Sequence, residues 1–327
     1  MNGAGYRSAA LSKPFHTRIH PTLEIAVARK ISLLVPLFNS SRYLDQLKHD
    51  IDHQTRPFDE VLMHDDGSTD DTIEKAAGLG FQVIRGGPQK RQSHARNRLL
   101  AAASSSFVHF HDHDDPIHPR FVERMLTACS SNSVAICHFA KTTPSERTIF
   151  GHDFKNDYDL VFDNFVHLNA MVVCKDLARL VSGFDENLTL CEEKDFLFKM
   201  LRQGALVTIV PELLAEWRIQ DSSFMSSQGW TGAALMLRRF IQNCLPNDSQ
   251  ETTELALEYA LRSAWDCYYA CPETITELRQ MFSYLSQHGL HPRTGLGKKS
   301  ALLIRSIGPV ATLRIRRAFS KKVAAIA

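Results

Sequence analysis

Apolar residues fall along this chain in short bursts, separated by stretches with helical periodicity. Residues 31–36, Ile-Ser-Leu-Leu-Val-Pro, form a near-continuous apolar run of the kind found in a strand covered on both faces. Ser40 or Ser41 stands where a helix cap belongs, ahead of Leu44, Leu47 and Ile51 on one helical face. Residues 60–64 and 81–84 read as the second and third strands, and 93–103 as a helix. A fourth strand begins at Phe107 and a fifth covers 133–139. Strands alternating with helices predict an α/β fold with a doubly wound, mostly parallel sheet.

Beyond that point the pattern loosens. Residues 140–165 are polar and weakly patterned, as an inserted loop or lid would be. A strand resumes over 168–174, and 192–202 is an amphipathic helix carrying Phe196, Leu197 and Met200. Residues 205–210 and 213–219 add two short strands, and 230–287 is helical in period. The predicted layout is an extension over 1–29, a body over 30–226, a C-terminal α-helical appendage over 227–290 and a tail over 291–327.

Composition narrows the picture. The 327 residues are 44% apolar and 23% charged with a formal net charge of +2, values of a globular protein without a global nucleic-acid signature. Seven cysteines, odd in number and without paired metal spacing, predict buried thiols in a reducing compartment. The first thirty residues lack an apolar signal core, and no run approaches the ~20 apolar residues of a membrane span, so a cytoplasmic location is expected. The tail differs: Lys298, Lys299, Arg305, Arg314, Arg316, Arg317, Lys321 and Lys322 alternate with apolar residues and no acid intervenes. It reads either as a basic amphipathic helix on anionic lipid, peripheral on the inner membrane face, or as a helix docked on the body with a solvated basic face.

The candidate chemistry lies at strand ends, where ligands sit in open α/β sheets. The fourth strand runs into Asp112, Asp114 and Asp115, which repel one another unless a cation neutralises them. Clustered carboxylates suit Mg²⁺ or Mn²⁺. Asp115-Pro116 also reads as a helix cap with proline at the first helical position. The second strand ends in Asp65, Asp66 and a small polar series to Thr72, a turn and cap in its simplest reading. His109, His111 and His113 alternate, and packing is the favoured role for them.

Taken together in order, Pro36 to Asn39, Asp65 to Thr72, Ala95-Arg96-Asn97, Asp112 to Asp115, Ser182 to Glu186, Glu192-Glu193 and Trp217-Arg218 resemble the inverting family 2 glycosyltransferases of GT-A fold. The resemblance spans 31 to about 226. It implies a nucleotide-sugar donor, most often a UDP-sugar, a cofactor Mn²⁺ or Mg²⁺, and a glycan or glycolipid acceptor in surface polysaccharide assembly. Carried over, Pro36, Phe38 and Asp66 would line the nucleobase pocket, with Asn39, Asp65, Arg96, Trp217 and Arg218 also at the donor. Asp112 would hold the ribose and, with Asp114 and Asp115, the metal-bound diphosphate, while Arg96 would orient Asp66 or touch the donor. Glu193 would be the general base, with Glu192 capping its helix or meeting a cation.

Three positions depart from the family pattern: Glu193 replaces an aspartate, Phe38 a tyrosine, and Gln220 a histidine that follows the aromatic-Arg pair. A non-catalytic nucleotide-sugar-binding or scaffold relative is the alternative these departures raise. A phosphotransferase lacks the threonine and glycine usual after its acidic motif, and no GxGxxG follows a strand for a dinucleotide enzyme.

Overall fold

The computed structural model describes residues 29–151, 154, 159–163, 166–188, 191–219, 234–235, 237–238, 241, 250–289 and 308–324. These divide into two compact units, one from the described residues of 15–187 and 192–223, the other from those of 188–191 and 224–327.

The first unit is built on one sheet. β1 (Ile31–Leu37) is buried along its whole length, as its unbroken apolar run requires. It pairs in parallel with β2 (Glu60–Asp65) and β4 (Phe107–Phe110), and β2 pairs in parallel with β3 (Gln82–Arg85). β5 (Ser133–Thr142), β6 (Arg147–Phe150), β7 (Met171–Cys174) and β8 (Leu206–Arg218) complete the sheet, in the order β3-β2-β1-β4-β7-β5-β6 with β8 on β5. β7 runs antiparallel to both β4 and β5. It therefore begins at the edge where β1, β2 and β4 end. That reversal decides which loops share the site.

The helices of this unit are α1 (Leu44–Asp52), α2 (Thr72–Gly78), α3 (Gln92–Ala102), α4 (Phe121–Thr127), α5 (Lys175–Leu180) and α6 (Glu192–Arg202). α3 packs on β1 and β2, and α5 on α3 and α6. Phe110 at the end of β4 meets Phe184 edge-on at 4.9 Å, and Phe184 stacks on Phe196 of α6 at 4.3 Å. Such pairs add about 1 kcal/mol each beyond the area they bury. This aromatic trio fixes α6, with its acids, against the end of β4.

Several sequence expectations change. The two short strands at 205–219 are one strand, β8, with a register shift where Cys137 faces Val210 and His138 faces Leu213. Pro211 lies in that gap and has no N–H for a ladder, so the strand bulges there. The 140–165 stretch is no plain loop: β5 extends to Thr142, turns back as β6, and one π-helical turn covers Asp159–Asp163. Neither Ser40 nor Ser41 caps a helix; Ser40 Oγ accepts the Phe38 N–H at 3.0 Å instead, ahead of a 3-10 turn at Ser41–Tyr43. Asp115 does not cap a helix either, because α4 starts only at Phe121.

In the second unit, α7 (Gln250–Ala270) and α8 (Ile275–Gln287) are separated at Cys271-Pro272, where proline ends helical pairing. α9 (Pro309–Ala324) packs on both, burying Thr312 and Leu313, and the Arg316 guanidinium lies 4.5 Å from the Trp265 ring centroid. One face of α9 is thus docked on neighbouring helices. Lys298, Lys299, Arg305 and Gln220 lie outside the described residues. No described helix is long and apolar enough to cross a membrane.

Candidate active site

β1, β2 and β4 release the chain at one edge, and turn-formers and acids follow there. Asp65 turns its carboxylate onto its own loop, accepting the N–H of Gly67 at 3.1 Å and of Ser68 at 3.2 Å. Gly67 sits at φ 89, and a Cβ there would come within 3.0 Å of the Gly87 carbonyl oxygen. Asn39, at φ 49, pins the turn from β1: its N–H donates to Ser68 Oγ at 2.9 Å and its Oδ1 accepts the Thr69 N–H at 2.8 Å. Asp66 receives the N–H groups of Lys90 and Arg91 at 3.0 and 2.8 Å. Pro36 is buried in β1, whereas Phe38 is 37% exposed beside the turn. Asn39 and Asp65 therefore shape the loop, Asp66 is anchored in it, and Phe38 keeps an open ring face.

After β4 the chain closes a second turn. Asn169, 1% exposed in the 3-10 turn Leu168–Ala170, accepts the Asp112 N–H on Oδ1 at 3.0 Å and donates from Nδ2 to Asp115. The Arg218 N–H, at the end of β8, donates to the other Asp115 oxygen at 2.6 Å. Because Asn169 Oδ1 must face an N–H, the network sets the amide's orientation. Asp115 then has an N–H on each oxygen, a setting that favours the carboxylate. Burial and the nearby Asp112 charge work the other way and push its carboxyl up to about 9. The hydrogen bonds ask for an anion, and only a counter-charge makes that anion comfortable.

Arg96 supplies part of it. This guanidinium, 3% exposed on α3, gives Nη2 to Asp112 Oδ1 and Nη1 to Glu192 Oε1, both at 2.8 Å. It lies on Asp112 and Glu192 rather than on Asp66. Burial raises the Asp112 carboxyl, but Arg96 and His167 outweigh it and hold the group at about 2. Glu193, next on α6, is pushed up to about 7 by burial and by the charge of Glu192.

His167 completes the cluster. Its ring stacks on Trp217 at 5.0 Å and 18°, and burial pulls it down to about 4, so it is neutral at ordinary pH. Asp112, Asp115 and His167 each offer a ligand atom, all within 4.8 Å of one another. The sequence pointed to Asp112, Asp114 and Asp115; the structure places Asp114 outside this cluster and brings in His167. Asp112 and Glu192 share the single guanidinium of Arg96, and Asp115 adds its carboxyl beside Asp112. Two oxygen donors, one imidazole and that charge deficit fit a divalent ion such as Mn²⁺ or Mg²⁺.

The other histidines have structural tasks. His109 Nδ1 lies 2.8 Å from the Met171 carbonyl, its ring 4.3 Å from that of Phe121, and burial lowers it to about 3. His111 Nε2 lies 2.9 Å from the Asp115 carbonyl, and His113 Nδ1 lies 3.3 Å from that of Pro36. Sequence reading missed His167 and Asn169. Their signal was present: they immediately precede an apolar strand, but a parallel β7 would have put them at the opposite edge.

The fold is of the GT-A type, a mostly parallel sheet with helices packed on it. Residues 32–178 match the family model described as Glycosyl transferase family 2. The chain is 34% identical over 118 residues to EpsH of Bacillus subtilis (strain 168), a glycosyltransferase candidate, across 34% of this chain and 33% of EpsH. It thus spans about a third of that relative's length. TuaG of the same organism, named for teichuronic acid biosynthesis, is 24% identical over 217 residues, covering 62% of this chain and 84% of TuaG. Among solved structures, residues 1–349 of Staphylococcus aureus TarS superpose with a TM-score of 0.67 at 18% identity, covering 90% of this chain and 91% of that one. The mannosyltransferase PcManGT of Pyrobaculum calidifontis, in complex with GDP-Man and Mn²⁺, gives 0.56 at 13% identity, covering 95% and 92%.

Proposed function

We propose that this chain transfers a sugar from a nucleotide sugar, a UDP-sugar first among them, to a hydroxyl of a glycan or glycolipid acceptor, with inversion at the anomeric carbon. A divalent cation, Mn²⁺ or Mg²⁺, would be held by Asp112, Asp115 and His167. The observation that carries the reading is the Arg96 bridge, which joins this cation-fitting cluster to the acid pair on α6. TarS is also known in complex with UDP-GlcNAc, at a TM-score of 0.64, which supports the choice of donor. The name of TuaG supports surface polysaccharide assembly.

When bound, the cation neutralises charge developing on the departing nucleoside diphosphate. The chain's own residues do the rest. Phe38 stacks on the nucleobase, and Asp66 accepts its imide hydrogen while fixed by Lys90 and Arg91. Trp217 and Arg218, at the end of β8, border the diphosphate and sugar. The acceptor oxygen attacks the anomeric carbon opposite the diphosphate; the new C–O bond forms as the bond to the diphosphate breaks, and Glu193 takes the hydroxyl proton. A carboxyl near 7 suits a base at neutral pH, a role typically worth about 10² to 10⁴-fold in rate. In this reading the protein works at the cytoplasmic face of the membrane, with its basic tail toward anionic lipid.

Thermal stability measured against a panel of UDP- and GDP-sugars, in Mn²⁺ and in EDTA, tests the reading. At least one UDP-sugar should raise Tm in Mn²⁺ only. A panel without any shift in Mn²⁺ would contradict it.

A further inference from the structure

Glu192 is the acid that the proposed chemistry leaves without a task. It is buried at the start of α6, and its one described contact is Arg96. Arg96 in turn uses its two terminal nitrogens singly, one per carboxylate, and its Nε is buried without a partner. A guanidinium can instead grip one carboxylate with two parallel hydrogen bonds, which is its stronger mode. Here the grip is divided.

We propose that Glu192 is a positioning residue: by holding Arg96 Nη1 it keeps the guanidinium from closing on Asp112 with both nitrogens, and so sets the affinity of the Asp112 cluster for a divalent cation. The inference rests on the reading of Asp112 as a cation ligand.

Two physical effects work in the same direction. With Glu192 present, Arg96 touches only Asp112 Oδ1, leaving Oδ2 outside that pair. Without its charge, Arg96 is drawn to Asp112 alone and competes for both oxygens. The cluster also becomes one unit more positive. At the short range of a two-bond bridge in a buried setting, a unit charge is felt strongly, and salt screens it little. Glu192 thus acts on the cation through Arg96, without touching it.

Glu192→Gln is the direct test, because glutamine keeps the length and volume while removing the charge that draws Nη1 away from Asp112. Mn²⁺ affinity is measured by calorimetry on the full chain without donor, alongside Glu193→Gln and the double variant Arg96→Gln/Glu192→Gln. The expected result is about tenfold weaker Mn²⁺ binding in Glu192→Gln, less than about twofold change in Glu193→Gln, and recovery toward wild type in the double variant, where both charges are gone. A purely structural role would lower Tm and leave Mn²⁺ affinity unmoved in Glu192→Gln; that outcome overturns the inference. So does a double variant that binds Mn²⁺ about tenfold more weakly than wild type, a comparison that stands even if Glu192→Gln alone folds poorly. Wild-type protein that binds no Mn²⁺ overturns instead the reading of Asp112 on which the inference rests.

Discussion

Asn97 and the Phe184 backbone hold each other in both directions: Asn97 Oδ1 accepts the Phe184 N–H at 2.8 Å, and its Nδ2 donates to the Phe184 carbonyl at 2.9 Å. The same Nδ2 lies 3.0 Å from Glu186 Oε1. One side chain on α3 therefore fixes the loop ahead of α6 and seats Phe184 between Phe110 and Phe196. Its neighbour Arg96 makes the Asp112 bridge, so α3 positions both halves of the site with consecutive residues.

Asn97→Ala leaves the Phe184 N–H and carbonyl without these partners. The expected cost is about 2 kcal/mol, a Tm lower by roughly 5 °C. Gly183→Ala should be as damaging or worse: the residue sits at φ 63, and a Cβ would lie 2.3 Å from Asn97 Oδ1. Thermal melts of the two variants check both; Tm values equal to wild type would refute the clamp.

The acid in Glu193 should be visible in the pH dependence of stability. Its folded pKa of about 7 is above the ordinary 4.5, so between those values the folded state holds a proton that the unfolded state has lost. Stability from this group therefore falls as pH rises from about 4.5 to 7 and levels off above. Glu193→Gln should reduce the slope of denaturation free energy across the window, leaving the part contributed by Asp115, whose carboxyl is pushed up to about 9. An unchanged slope would place the Glu193 carboxyl in water.

Much of this organisation was legible in the sequence, and the failures have one cause. The strand ends at Asp65 and Phe110, the α6 acids and the order of elements follow from apolar runs and turn residues, because burial on both faces leaves little choice. Strand direction leaves no such trace. Met171–Cys174 reads the same whether parallel or antiparallel, so Asn169 and His167 could not be assigned to the Asp112 edge. Nor does spacing reveal which of three neighbouring aspartates turns inward; Asn169 and the Arg218 N–H select Asp115, and both come from far along the chain.

Asn169→Leu should therefore behave as a site mutation although it touches no substrate in this account. It removes the acceptor for the Asp112 N–H and a donor to Asp115. Mn²⁺ binding measured by calorimetry is expected to weaken at least tenfold, and Asn169→Asp, which puts a third carboxylate against Asp115, should destabilise the fold. Unaltered Mn²⁺ affinity in Asn169→Leu would detach the turn from the cation.

The basic tail gives a separate expectation. No acid follows Glu277 in the sequence, and Arg314 on α9 is exposed, a cationic surface suited to an anionic headgroup layer. Vesicles containing anionic lipid should retain the protein at low salt and release it at high salt, whereas neutral vesicles should not retain it. Replacing Arg314, Arg317, Lys321 and Lys322 with glutamine should abolish retention. Equal binding to neutral vesicles would contradict the role.

Inverting transfer from a nucleotide sugar with Glu193 as base is decided by the anomer first released. With an α-linked UDP-sugar, Mn²⁺ and water as acceptor, proton NMR should show the β-sugar appearing first in wild type, and Glu193→Gln should bind the donor but release almost none. Release of the α-sugar first, or undiminished release by Glu193→Gln, would contradict the account.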